Sequence, residues 1–172
     1  MGKIDTVIKE LNKKYGEGII QRGGVTNIDF VTTGSRFLDY CTGGGFPRGK
    51  IIELYGAPST GKSLISQFTI AAAQKRGEEC VWIDCEASFD PEFSKTLGVD
   101  PDKLVISNSK IGEPTIDLIC KLVEEAKPSI IVVDSVASMI PRADLVEEMD
   151  KPMVATRARV MSRGLAKINA MN

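Results

Sequence analysis

Histidine is absent from the 172 residues. The four cysteines, Cys41, Cys80, Cys85 and Cys120, never form a CxxC spacing, and three of them lie within apolar stretches. Neither a zinc centre nor a disulfide framework is therefore expected. Long apolar runs are also missing. The longest, such as Ile130 to Val133, fall far below the roughly 18 residues a membrane span needs. The opening Met1-Gly2-Lys3-Ile4 has no apolar signal region, so the expectation is a cytoplasmic protein with no membrane partner. An excess of either charge is lacking as well, because the formal net charge is −1. Nucleic-acid binders usually carry a basic excess or patch that releases counterions from phosphates. Any such contact here has to come from local clusters.

What is present, 42% hydrophobic and 26% charged residues, suits one globular core of ordinary size. Ile4, Val7, Ile8 and Leu11 recur at helical spacing, with Asp5/Lys9 and Glu10/Lys14 as i,i+4 pairs; this predicts a first helix that Gly16 and Gly18 end. Pattern alone favours folding that helix onto its own domain. Residues 23–34 show little helical pattern, and Ser35 to Tyr40 suit a short helix before the Gly43-Gly44-Gly45 turn. From Lys50 onward, short β-rich runs alternate with helical ones, the signature of a parallel sheet with crossover helices. The expected strands are Ile51 to Tyr55, Cys80 to Asp84, Leu104 to Ser107 and Ile130 to Asp134, with helices at about Lys62 to Lys75, Pro91 to Leu97 and Pro114 to Ala126.

Gly56-Ala57-Pro58-Ser59-Thr60-Gly61-Lys62-Ser63 fits G-x-x-x-x-G-K-[ST], after an apolar run and before an amphipathic one carrying Leu64, Ile65, Phe68 and Ala72. Chemistry explains each residue type in such a loop. The glycines let backbone N–H groups converge on the phosphates of a nucleotide, and the helix N-terminus adds positive potential. Lys62 reaches the β- and γ-phosphates, and the Ser63 hydroxyl ligates Mg²⁺. Ile130 to Val133 lead into Asp134, and ligands of open parallel sheets sit at the carboxyl ends of strands. Asp134 is accordingly expected to hold the magnesium through water.

Cys80 to Ile83 deliver two acids, Asp84 and Glu86, to the same edge. Either can orient and partly deprotonate a water that attacks the γ-phosphate. Glu86 is preferred and Asp84 is read as supporting, although strand alternation alone leaves the choice open. Next come Asp90 and Pro91, a natural N-cap and first-turn proline. Capping explains them fully; the functional alternative has Asp90 accepting from an adenine amino group while Phe93 covers the ring.

Six segments together carry a resemblance: KKYGEG from Lys13, TTGSRFLDYCTGGGFPRGKIIELYG from Thr32, GAPSTGKS from Gly56, WIDCEASFDPEF from Trp82, KTLGVDPDKL from Lys95 and IIVVDSVASMIPRADL from Ile130. In this order and spacing the chain resembles the bacterial and phage RecA recombinase family over nearly its whole length. The resemblance implies an α/β fold, a RecA-like P-loop NTPase with a mostly parallel sheet flanked by helices and preceded by an N-terminal helix. It divides the chain into a polymerisation segment, residues 1–34, and a partial ATPase core, residues 35–172. It implies a DNA-dependent ATPase using ATP and Mg²⁺, with Glu86 as the catalytic glutamate acting beside Lys62. Asp90 and Phe93 fall at the adenine-contacting positions, where phenylalanine replaces the usual tyrosine and loses its hydroxyl.

The same resemblance implies single-stranded and duplex DNA as partners, in recombination and repair. It also implies a homo-oligomeric helical filament in which the first helix packs on a neighbouring protomer, against the reading from pattern alone. Residues 147–152 stand at the first DNA-binding loop of the family but are acidic, and by themselves read as an exposed connector. Farther on, Ala158, Met161, Leu165 and Ile168 form an apolar stripe, with Arg159, Arg163 and Lys167 on the opposite face. Arg159, with Met153 and Val154 before it, is the expected DNA contact. The resemblance stops at Asn172, short of a strand with a γ-phosphate-sensing glutamine that lies between the P-loop strand and the Asp134 strand in family members. The expectation is an incomplete sheet and a fragment, split or truncated chain. Rival readings are an ATP-binding filament regulator without strand exchange and a RecA-fold ring helicase.

Overall fold

The structure, a computed structural model, describes residues 2–23, 28–146 and 156–171. Among them the chain runs α1 (Lys3–Tyr15), β1 (Phe30–Val31), α2 (Arg36–Thr42), β2 (Phe46–Pro47), α3 (Lys62–Gln74), β3 (Cys80–Asp84), α4 (Pro91–Thr96), β4 (Leu104–Ser107), α5 (Gly112–Lys121), β5 (Ile130–Asp134) and α6 (Thr156–Met171). A wider π turn over Leu122–Ala126 extends α5.

A three-stranded parallel sheet forms the centre, in the order β4-β3-β5. β3 is covered on both edges and both faces, and all five of its residues are buried. Alternation along the strands divides the core in two. Cys80 and Trp82, with Ile130 and Val132, face Ile70, Ala71 and Ala73 of α3. Val81 and Ile83, with Ile131 and Val133, face Ile116 and Ile119 of α5 and Ile168 of α6. Helices thus cover both sheet faces, as parallel strands require. Ile70 and Ile83 are wholly buried; each contributes on the order of 1.5–3 kcal/mol of transfer free energy.

Strands β3, β4 and β5 have the bounds their apolar runs predict. Ile51 to Tyr55, by contrast, is not a strand, which corrects the expectation. A strand is defined by its ladder, and no described strand pairs with this segment; Ile51, Ile52 and Tyr55 are exposed.

A small antiparallel ladder joins Phe30 to Pro47 and Val31 to Phe46, spanning the expected division at residue 34. Gly45 makes it possible. At φ 116° it lies so close to Val31 that a Cβ would stand 2.2 Å from the Val31 carbonyl oxygen. Arg48 then locks this ladder to the rest of the domain, donating to Ser129 Oγ at 2.5 Å and Glu78 Oε1 at 2.8 Å.

Two helices differ from their sequence patterns. In α6 the buried positions are Gly164 and Ile168, with Val160 and Met161 packed beside them, whereas Ala158 and Leu165 are exposed. The inward face is rotated because Gly164 permits the close approach of α5. Helix α1 buries no residue at all; Ile4 is 65% and Val7 48% exposed. No described helix is long and apolar enough to cross a membrane.

Candidate active site

In the loop between Tyr55 and α3 the backbone turns left-handed at two points. Ser59 has φ 61° and Gly61, the N-cap of α3, has φ 92°, a left-handed turn that glycine adopts without strain. None of the backbone N–H groups from residue 59 to 63 donates to a protein acceptor among the described residues. They are donors left open at a helix N-terminus, an arrangement that attracts an anion. Inside the loop, Thr60 Oγ1 donates to the Ala57 carbonyl at 2.8 Å. The Lys62 ammonium folds back onto the carbonyls of Gly56 (3.2 Å) and Ala57 (2.9 Å), satisfying its donors at the mouth of the loop.

Register along the sheet brings the acids together. Asp84 stands opposite Asp134 at the carboxyl ends of β3 and β5. Ser63 Oγ donates to Asp134 Oδ2 at 2.6 Å, joining two residues 71 apart in sequence. The peptide bond after Asp134 is cis. Both oxygens are hard donors of the kind Mg²⁺ takes, and a magnesium site at bound phosphates needs only one or two protein ligands. Among the described residues no three His, Cys, Asp or Glu side chains gather as a metal cluster.

The two acids after β3 have different surroundings. Asp84, 3% exposed, accepts the N–H groups of Ser88 at 3.1 Å and Phe89 at 2.9 Å and so holds the following turn. Glu86 is exposed; its backbone N–H donates to the Asp134 carbonyl at 3.2 Å, and its Oε1 accepts from Ser135 Oγ at 2.6 Å and Ser138 Oγ at 3.3 Å. Beneath them, burial pushes the Cys85 thiol up to about 11, and the negative charges of Asp84, Asp134 and Glu86 push the same way. This end of the sheet therefore brings three carboxylates near one buried thiol.

Asp90 caps α4, accepting from Glu92 N at 2.9 Å and Phe93 N at 3.1 Å. Phe93 is half exposed. Arg159 is exposed on α6 and has no ion pair among the described residues; Lys167 on the same face pairs with Asp117 at 3.0 Å. Met153 and Val154 lie outside the described residues, as does the acidic run before them. Sequence reasoning did not find Ser135 and Ser138, or Arg157, which donates to the Ala137 carbonyl at 2.6 Å. The only sequence signal for them is two hydroxyls bracketing the turn after a strand-end aspartate.

Residues 2–172 match the family model described as the RecA N-terminal domain. The chain is 40% identical over 170 residues to a protein from Acidiphilium cryptum named Protein RecA, covering 96% of this chain and 50% of that protein. Proteins of the same name from Clostridium acetobutylicum (39% identical, 96% of this chain and 48% of that protein) and Chelativorans (40% identical, 97% and 48%) are similar to the same extent. The chain spans about half the length of the curated relatives it matches.

Proposed function

From the premise that this chain belongs to the RecA family, we propose that it is the ATP-binding part of a DNA-dependent ATPase that acts in recombination and repair. The carrying observation is the bond between Ser63 and Asp134, which unites the hydroxyl of the phosphate loop with the strand-end carboxylate. On this reading residues 35–172 are a P-loop NTPase core and residues 1–34 a polymerisation segment.

Each side chain then has one task. The backbone donors of Gly56, Ala57, Ser59, Thr60 and Gly61, with Pro58 shaping the loop, cradle the α- and β-phosphates. Lys62 exchanges its two carbonyl acceptors for β- and γ-phosphate oxygens. Ser63 and, through water, Asp134 would hold Mg²⁺, which would neutralise phosphate charge. Glu86 orients the attacking water and accepts its proton. Asp84, already consumed by the 84–89 turn, supports Glu86 through the backbone. Asp90 and Phe93 receive adenine.

Beyond the nucleotide, Arg159, Met153 and Val154 contact single-stranded and duplex DNA. The exposed apolar side of α1, Ile4 and Val7, packs on the next protomer of a helical filament, an open head-to-tail assembly. The cytoplasm is the expected location. A second reading, a nucleotide-binding filament regulator without turnover, is favoured by the unpaired segment Ile51 to Tyr55.

Calorimetric titration with ATP and Mg²⁺, followed by turnover with and without single-stranded DNA, tests this. Lys62→Ala and Ser63→Ala should weaken binding at least tenfold, about 1.4 kcal/mol. Glu86→Gln should bind normally and lose turnover, and DNA should stimulate the wild-type chain. Binding unaffected by Lys62→Ala overturns the phosphate site. Binding with no turnover at all selects the regulator.

A further inference from the structure

We infer that Ser135 and Ser138 are positioning residues for Glu86, pinning one oxygen of its carboxylate, and that Arg157 of α6 holds the turn that presents them. The inference rests on the reading of Glu86 as the residue that orients water.

Glu86 is exposed, so packing does not fix its carboxylate, and the last torsion of a glutamate is broad and roughly two-fold. Something else must set the plane of the group. An ionised carboxylate only accepts, so the two serine hydroxyls each spend their single proton on it. Both choose the same atom: Ser135 Oγ lies 2.6 Å and Ser138 Oγ 3.3 Å from Oε1. Oε2 has no protein donor among the described residues and is the oxygen left for water.

The presenting turn is itself held from three directions. Internally, Ser138 N donates to the Ser135 carbonyl at 3.1 Å. Below it, Met139 is 1% exposed in the α5 side of the core. Above it, Arg157 Nη1 takes the Ala137 carbonyl at 2.6 Å, and that carbonyl lies between the two serines in sequence. The backbone of Glu86 is tied to the same strand end through the Asp134 carbonyl. Residue 86, the two hydroxyls and the first turn of α6 thus form one continuous chain of hydrogen bonds. A change in where α6 begins is transmitted to the carboxylate through a single guanidinium.

Misplacing a catalytic group by about 1 Å can cost about 100-fold in rate, and losing one of two pins should cost less. Ser138→Ala should lower kcat for ATP about 3- to 10-fold with KM unchanged, and Ser138→Thr, which keeps the hydroxyl, should restore most of the loss. Ser135→Ala/Ser138→Ala should approach Glu86→Gln, and Arg157→Ala should reproduce the kcat effect without touching nucleotide affinity. Full wild-type kcat in the double variant, with Glu86→Gln inactive, overturns the inference and leaves the reading of Glu86 intact. Turnover retained by Glu86→Gln overturns the reading and the inference together. Where the wild-type chain has no turnover, a double-mutant cycle of Ser138→Ala and Glu86→Gln on thermal unfolding decides the contact. Coupled shifts in Tm support it, and additive shifts overturn it.

Discussion

Gly164 of α6 lies against Ile116 of α5 so closely that a Cβ on it would stand 2.7 Å from Ile116 Cδ1, 2.8 Å from Cγ1 and 3.0 Å from Cγ2. Glycine inside a helix costs about 0.5–1 kcal/mol relative to alanine. Here the contact reverses that preference. Ile116 is buried and β-branched, so it cannot rotate away cheaply. Gly164→Ala should destabilise the protein by about 1–2 kcal/mol, as overpacking does, measured by denaturant unfolding. Ile116→Val in the same background should recover part of the loss.

Glu78 couples the β1–β2 ladder to the sheet. Burial alone would raise its carboxyl, but hydrogen bonds from Ser129 and Arg48 and the charges of Arg48 and Arg76 outweigh that and hold it below the ordinary 4.5. A group depressed in the folded state contributes stability above its unfolded pKa and loses it as pH falls through the folded one. Glu78→Gln should therefore be about 1–2 kcal/mol less stable than wild type at neutral pH. The gap should close as pH drops below 4.5, read from acid-unfolding curves of the two proteins.

A pair of substitutions separates the capping by Asp90 from the adenine contact proposed for it. Asp90→Ala removes the cap on α4 and should cost about 1 kcal/mol of stability. Asp90→Ser keeps a capping oxygen and should unfold close to wild type, yet its shorter side chain cannot reach a base. If Asp90 also receives adenine, Asp90→Ser should lose preference for ATP over GTP in competition binding. Unchanged preference would assign the residue to capping alone.

The thiols should differ sharply in reactivity. Burial, then the charge of Glu78, pushes Cys80 up to about 11, and Cys85 is pushed as high. Cys41 is the exposed one. A thiol reagent near neutral pH should label Cys41 in the folded protein and reach Cys80 and Cys85 only on unfolding, checked by peptide mass mapping. The buried pair is neutral when folded and ionises when unfolded above 9.0. Stability should fall between pH 9.0 and about 11.

Three strands, the left-handed turns of the Gly56–Ser63 loop and the helix after it were legible in the sequence because each is written locally. Cys80 to Asp84 and Ile130 to Asp134 are apolar runs closed by an acid, and Gly56 to Ser63 carries glycines where the backbone turns left-handed. Local pattern also ended α1 at Gly16 and capped α4 with Asp90. What neighbours decide was not legible. Ile51 to Tyr55 has the composition of a strand but no partner among the described strands, and hydrogen bonds between strands come from other parts of the chain. The inward face of α6 followed from the space Gly164 leaves for Ile116, which periodicity does not register. The strand pattern delivers Asp84 and Glu86 to one edge, with Glu86 preferred but alternation leaving the choice open. The fold gives them different surroundings: the 84–89 turn consumes Asp84, and the serines beyond β5 hold Glu86. The sequence by itself determined which hydroxyls, acids and glycines stand in the Gly56–Ser63 loop and at the strand ends. The tertiary structure decided which partners each of them has, because hydrogen-bond donors are shared between segments that only folding brings within 3 Å or so of each other.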